Sequence, residues 1–311
     1  MNEAKTKMIT AKDYINNHLA NEIQKNKDMF KVKTGFKRLD KQLGGFLYSG
    51  LHCLGAPTSL GKTTFIMQIA DFIARQKIDV LFFSLEMGTP ELIFRSLTKE
   101  FTDFYPDELV TMDKIMYGEM DFEIIKPVIE KYSETIGKYL TIIEGNFDMD
   151  VNKVTEIIDE KIKTCDENKK PVIIIDYLQA LRPVNESVTS KQNTDTSVIE
   201  LKRLSRNLDI PVVLVSSYNR TGYDEPANFQ SFKESGGIEF TCDTVMALQL
   251  IDVKNKKSEE IQQDKAKQKR ELELVILKNR RGTAYKKIPF SHIGAKYKFI
   301  EEESKEGERN L

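Results

Sequence analysis

An α/β fold with a mostly parallel central sheet is predicted by two features of the sequence. Short β-rich runs at 51–55, 80–84, 140–144, 172–176 and 212–216 alternate with amphipathic stretches, the pattern of βαβ units. The first run leads straight into a glycine-punctuated loop and then a helical run over 65–75, an order in which backbone N–H groups can cradle phosphate. A sixth run lies at 245–250. Three more, at 271–278, 285–290 and 296–300, have no long helix between them and predict an antiparallel C-terminal extension.

At 311 residues the chain can bury a sizeable core, as one large domain with appendages or as two smaller ones. Its 47 Lys and Arg against 48 Asp and Glu leave a net charge of −1, so no bulk positive field marks a nucleic-acid binder, and any such binding rests on local loops. Cys53, Cys165 and Cys242 are too few and too dispersed for a disulfide framework or a zinc site; they read as packing residues of a reducing compartment. The polar N-terminus has no secretory h-region. The longest uncharged run, 42–61, contains five glycines and Pro57 and would make a poor membrane helix. A cytoplasmic location with no membrane partner is expected.

Along the chain, residues 10–25 form an amphipathic pattern (Ala11, Ile15, Leu19, Ile23) with Thr10 and Asp13 at capping-box spacing. Residues 1–30 are therefore a helical arm, 31–303 the main domain and 304–311 a flexible tail. Near 192–208 an apolar stripe (Val198, Leu201, Leu204, Leu208) faces the core, and Lys202, Arg203 and Arg206 form a solvated face. Segment 252–270, dense in Lys, Glu and Gln, is expected to be mobile, helical in part, and outside the core. His18, His52 and His292 have no ligand spacing and receive no role.

The loop that follows the first strand carries the strongest chemical signal. Ala56, Ser59, Leu60, Gly61, Lys62, Thr63 and Thr64 are placed to wrap a nucleotide's phosphates, with Lys62 as a point charge at the β/γ-phosphates and Thr63 offering a hydroxyl to Mg²⁺. A plain glycine-rich turn would not require Lys62 and Thr63 at the helix start. Asp176 ends the apolar strand 172–176, where a carboxylate can hold the Mg²⁺ shell; alone it could equally be a cap, and the upstream loop favours the metal-side role. Glu86 follows strand 80–84 and can orient and deprotonate water, the plainer reading being a solvated loop glutamate.

Six motifs in order then carry a family resemblance: Thr34-Gly-Phe-x-x-Leu-Asp40, the 55–65 loop, Ser84-Leu-Glu-Met87, Ile175-Asp-Tyr-Leu-Gln179, Glu234-Ser-Gly-Gly-Ile-Glu239 and Lys278-x-Arg280-x-Gly282. Over about residues 34–300 the chain resembles the C-terminal, RecA-like ATPase domain of DnaB-type replicative DNA helicases, a family in which alanine is common at position 56. The resemblance implies a ring motor, usually a hexamer, that binds ATP and Mg²⁺ at subunit interfaces. Lys62, Thr63, Glu86 and Asp176 would act in cis, and Lys278 and Arg280 would reach the neighbouring subunit's γ-phosphate. Otherwise those two are the solvated basic end of a strand. Single-stranded or forked DNA would meet loops 182–195 and 220–237, with Lys233, Glu234 and Gly236 the candidate phosphate contacts; an ordinary surface loop is the alternative.

Two departures from the family pattern stand out. Ser217 occupies the position of a family glutamine thought to couple the γ-phosphate to the DNA loop, so coupling is altered or runs through Asn219. There is also no room before residue 30 for the helical collar that engages primase, and a loader or primase partner is left open. The sequence thus reads as an ATP-dependent helicase motor. A RecA-like ATPase acting as a nucleotide-gated DNA-binding or assembly protein, without unwinding, is the alternative.

Overall fold

The structure, a computed structural model, describes residues 8–28, 31–106, 108, 110–145, 148–165, 170–219, 222–233 and 236–303. The tail 304–311 lies outside the described residues. The chain divides into two compact units, Met1–Lys31 and Val32–Leu311.

In the first unit the pattern expected to give one helix gives two, α1 (Ala11–Asn17) and α2 (Leu19–Asp28). They part at His18, whose N–H still reaches the Tyr14 carbonyl. The Thr10 hydroxyl oxygen accepts from the Asp13 N–H at 3.1 Å and its hydroxyl donates to the Asp13 carboxylate at 2.7 Å, so Thr10 caps α1. No α1 residue is buried.

The second unit is built on a nine-stranded sheet among the described residues. Its elements are α3 (Lys37–Gln42), β1 (Gly50–Ala56), α4 (Lys62–Arg75), β2 (Val80–Ser84), α5 (Thr89–Phe104), α6 (Met112–Met116), α7 (Phe122–Tyr132), β3 (Leu140–Glu144), α8 (Val151–Lys163), β4 (Val172–Asp176), α9 (Ser190–Leu208), β5 (Pro211–Ser217), α10 (Gly236–Thr241), β6 (Thr244–Leu250), α11 (Ser258–Ala266), β7 (Lys269–Asn279), β8 (Lys286–Ile293) and β9 (Lys298–Glu301). The strand order is β3-β2-β4-β5-β1-β6-β7-β8-β9. Pairings are parallel from β3 through β6 and antiparallel from β6 to β9.

The apolar runs are continuous because both sheet faces are covered, and alternate residues enter different cores. Phe82, Ile174, Val213 and Val215 pack with Phe65, Ile69 and Ile73 of α4 and Leu92 of α5. Phe83, Ile173, Ile175, Val212 and Leu214 pack with Val154 and Ile158 of α8 and Val198, Leu201 and Leu204 of α9. Cys53 and Cys242 are buried in that second core, and all three cysteines are free thiols.

Beyond β6, an aromatic cluster presses the antiparallel extension onto the start of α4: Phe65 lies 5.1–5.3 Å from Phe36, Phe290 and Phe299. Gln68 fixes the same contact, its amide exchanging hydrogen bonds with Phe299 N–H (2.8 Å) and carbonyl (2.9 Å). The Glu301 carboxylate accepts from the N–H groups of Arg38 and Leu39 at the start of α3.

Two expectations are corrected. Segment 252–270 does reach the core, because Val253 and Ile261 are buried in the cluster that contains α4. One inward residue in the 253–255 turn and one in α11 make too weak a period to detect in a charged sequence. On α9, Arg203 and Arg206 are exposed, but Lys202 is not part of a solvated face: its ammonium pairs with Asp243, a residue distant in sequence.

Candidate active site

Parallel strands bring the predicted residues to one edge. β1 runs into the phosphate loop, β2 and β4 are paired so that Ser84 lies beside Asp176, and β5 ends at Ser217 beside Ala56. The C-terminal ends of all four strands therefore face the same crevice, where open α/β sheets collect ligands.

The loop turns on Gly61, in the left-handed region at φ 91°, and on Ser59 at φ 67°. Gly61 is required twice over, by that φ and because a Cβ there would meet the His292 ring at 2.9 Å. Ala56 and Leu60 are buried, and the Ser59 carbonyl accepts from Arg270 at 2.6 Å. Gly61 caps α4 without a side-chain hydrogen bond, leaving first-turn N–H groups available to an anion.

Four side chains converge at the head of α4. The Thr63 hydroxyl hydrogen-bonds the Asp176 carboxylate, and the charges of Lys62 and Glu86 act on the same group. Burial pushes the Asp176 carboxyl up to about 6, against the opposing pull of Thr63 and Lys62. The Lys62 ammonium is lowered by burial while Asp176 and Glu86 favour its charge, and it lies back over its own loop, 3.4 Å from the Pro57 carbonyl. Glu86 is exposed at the crevice. Its backbone approach is fixed because Leu85 N–H donates to the Asp176 carbonyl at 2.8 Å and Ser84 Oγ donates to the Met87 carbonyl at 2.6 Å.

This donor set fits Mg²⁺. No group of three or more His, Cys, Asp or Glu side chains suited to a metal occurs among the described residues. One hydroxyl and one buried carboxylate side by side are what a cation completed by phosphate oxygens and water requires.

Other predicted residues sit elsewhere. Lys278 and Arg280 lie at the opposite end of the sheet: Lys278 pairs with Val245 at the start of β6, and Arg280 contacts Asp243, which binds the Leu51 N–H at the start of β1. Five residues of strand separate Leu51 from Ala56, roughly 17 Å, so neither cation is near its own phosphate loop. Lys278 donates to the Glu239 and Phe240 carbonyls at the end of α10. Lys233 is exposed, with its N–H on the Ser217 carbonyl at 3.0 Å. Gly236 opens α10, and Glu234 lies outside the described residues. Asn219 is committed to its own loop, donating to the Gln230 carbonyl and accepting from Gly222 N–H.

A model of the DnaB-like helicase C-terminal domain matches residues 31–301. The chain belongs to that family. It is similar to the replicative DNA helicase DnaC of Bacillus subtilis, 28% identical over 263 residues that cover 82% of this chain and 53% of that protein. It is also similar to the replicative DNA helicase DnaB of Treponema pallidum, 30% identical over 222 residues, 71% of this chain and 48% of that protein. The chain thus spans about half the length of the curated relatives it matches.

A solved structure described as an isolated ATPase domain superimposes with a TM-score of 0.78 at 23% identity, covering 95% of this chain and 100% of that one. A DnaB-like replicative helicase described with its interactions with primase superimposes at 0.76 and 21% identity, covering 96% of this chain and 68% of that one. These likenesses show the same fold.

Within this DnaB-like domain, sequence reasoning passed over two residues. Gln179, present in the quoted Asp-Tyr-Leu-Gln motif, accepts from Ser217 N–H at 3.1 Å and donates to Ser216 Oγ at 2.8 Å and to the Lys233 carbonyl at 3.2 Å. It joins the tips of β4 and β5 to the Lys233 loop. His292, given no role, packs beneath the phosphate loop and lines a cavity of about 500 Å³ with Thr64, Arg95, Arg270 and Tyr297. Nothing in its local sequence signals that placement.

Proposed function

We propose that the chain is the ATP-hydrolysing motor of a DnaB-type replicative helicase, acting in the cytoplasm as a ring, most simply a hexamer, that translocates on single-stranded DNA and unwinds forked duplex. One observation carries the reading: Lys62, Thr63, Asp176 and Glu86 meet at one end of the sheet while Lys278 and Arg280 stand at the other. A complete hydrolytic site then requires two copies, the second supplying the cations.

In this reading Lys62 and the N–H groups of the loop and α4 hold the β- and γ-phosphates of ATP. Thr63 and Asp176 hold Mg²⁺, which when bound offsets phosphate charge. Glu86 orients the attacking water and takes its proton. Lys278 and Arg280 of the adjacent copy stabilise charge that develops on the γ-phosphoryl oxygens. The nucleoside extends past Thr64 into the cavity lined by Arg95, Arg270, His292 and Tyr297. DNA phosphates meet Lys233 and the N-terminal region of α10, and a primase or loader remains a candidate partner through the family.

The test is strand displacement on a forked duplex with ATP and Mg²⁺, with hydrolysis followed in the same tubes and Lys62→Ala as the control. Displacement that the control loses is the expected result. Hydrolysis without displacement would favour a nucleotide-gated DNA-binding or assembly role, the reading that Ser217 in place of the family glutamine supports.

A further inference from the structure

Asp243, just before β6, is not among the motifs that mark the site, yet it joins three elements around Arg280. Its side chain is 8% exposed and lies against Gly50, where a Cβ would come within 2.7 Å of Oδ2. The carboxylate accepts from Leu51 N–H at 2.8 Å, from the Lys202 ammonium of α9, and from Arg280 Nη1 at 3.1 Å. Its backbone carbonyl also accepts from Arg280 N–H at 3.0 Å. One residue therefore fixes both the backbone and the guanidinium of Arg280.

The charge balance separates orientation from simple neutralisation. Lys202 and Leu51 N–H already satisfy the buried carboxylate, and Asp243 is held below its ordinary range chiefly by Lys202 and Leu51 acting against burial. Arg280 is 53% exposed, so its pairing adds little to stability. A guanidinium has five N–H donors in a rigid fork, and the described contacts use one of them, leaving the rest to face outward. Lys278 is held in a comparable way by the Glu239 and Phe240 carbonyls, where a helix end attracts a cation. The segment 239–243 thus seats both cations.

We propose that Asp243 is a positioning residue: it holds Arg280 extended and pre-oriented for the ATP site of a neighbouring copy of this chain. The inference rests on the ring reading above. Arg280 without Asp243 would keep its charge and lose its direction, and misplacing a transition-state contact slows turnover far more than it weakens substrate binding.

The experiment compares Asp243→Asn with Arg280→Ala and with 1:1 mixtures of each with Lys62→Ala, by steady-state ATP hydrolysis with single-stranded DNA present. Asn keeps the size and an acceptor for Leu51 N–H. Asp243→Asn is expected to lower kcat by about tenfold or more with KM changed less than about twofold. Mixed with Lys62→Ala, it should recover hydrolysis toward about a quarter of wild type, since random mixing in a head-to-tail ring pairs an intact phosphate loop with an intact Arg280 at about one interface in four.

If Arg280→Ala recovers in the mixture and Asp243→Asn does not, the positioning role is overturned and the two-copy site stands. If neither recovers, the two-copy site fails and takes the proposal with it. Should Asp243→Asn fail to assemble, Asp243→Glu, which keeps the charge one methylene further out, enters the same mixture and is read by the same criterion.

Discussion

Lowering the pH from 7 to 5 should destabilise the folded chain by about 2 kcal/mol, and buried histidines are the reason. His52 is fully buried with Nε2 at 2.8 Å from the Tyr48 carbonyl, and burial lowers its pKa to about 4. His292 is stacked on Phe299 at 4.3 Å, and burial together with the charge of Arg270 lowers it to about 4 as well. Both are neutral in the fold, whereas in the unfolded chain each titrates at the ordinary 6.5. Their contribution is whole above 6.5 and is lost as the pH falls toward 4, because the unfolded chain then binds protons that the fold refuses. From pH 7 to 5 that amounts to about 1.8 kcal/mol for each histidine.

Asp176 works in the opposite sense. Its pKa rises from 3.8 to about 6 in the fold, so the folded chain takes up the proton first and gains about 1.3 kcal/mol over the same interval. The balance is a loss of about 2.4 kcal/mol, or about 5–10 °C in Tm for a domain of this size. Thermal melts without nucleotide or Mg²⁺ at the two pH values measure it. His292→Leu removes one titrating ring and should shrink the pH-dependent loss to about 0.6 kcal/mol. An equal or higher Tm at pH 5, or an undiminished loss in His292→Leu, would refute the reasoning.

Three further outcomes are expected. Lys99→Met should cost about 3–5 kcal/mol in chemical denaturation, because Lys99 lies 3.6 Å from Asp71 and 2.6 Å from Glu100 and its removal leaves buried carboxylates poorly paired; a cost below about 1 kcal/mol would mean the cluster is solvated. Ser217→Gln should raise the ratio of DNA-stimulated to basal ATP hydrolysis by about fivefold, a coupling of about 1 kcal/mol, since the longer amide can span from the β5 tip; an unchanged ratio counts against it. Deleting residues 1–31 should lower the oligomer mass in light scattering, and retention of the same assembly would remove the arm from subunit joining.

Much of the fold was legible because its signals are local. Alternation between two apolar faces marked each strand, and glycines at fixed spacing before Lys62 and Thr63 marked the phosphate loop; both depend on residues a few positions apart. Asp176 and Glu86 were legible for a related reason, since each ends or follows an apolar strand and parallel strands deliver their C-terminal ends to a common edge. The break at His18 and the burial of Val253 and Ile261 were not, because a short helix with one inward residue has no period to read.

By itself, then, the sequence determined the layer architecture, the strand succession, the phosphate loop and the identity of the carboxylates beside it. Tertiary structure alone decided that Lys278 and Arg280 face away from their own loop, that Asp243 gathers Lys202, Leu51 and Arg280, that Gln179 bridges Ser217 to Lys233, and that His292 underlies Gly61. Those contacts join residues tens to hundreds of positions apart. Strand order and antiparallel register bring them together, and neither is written in the periodicity of any one segment.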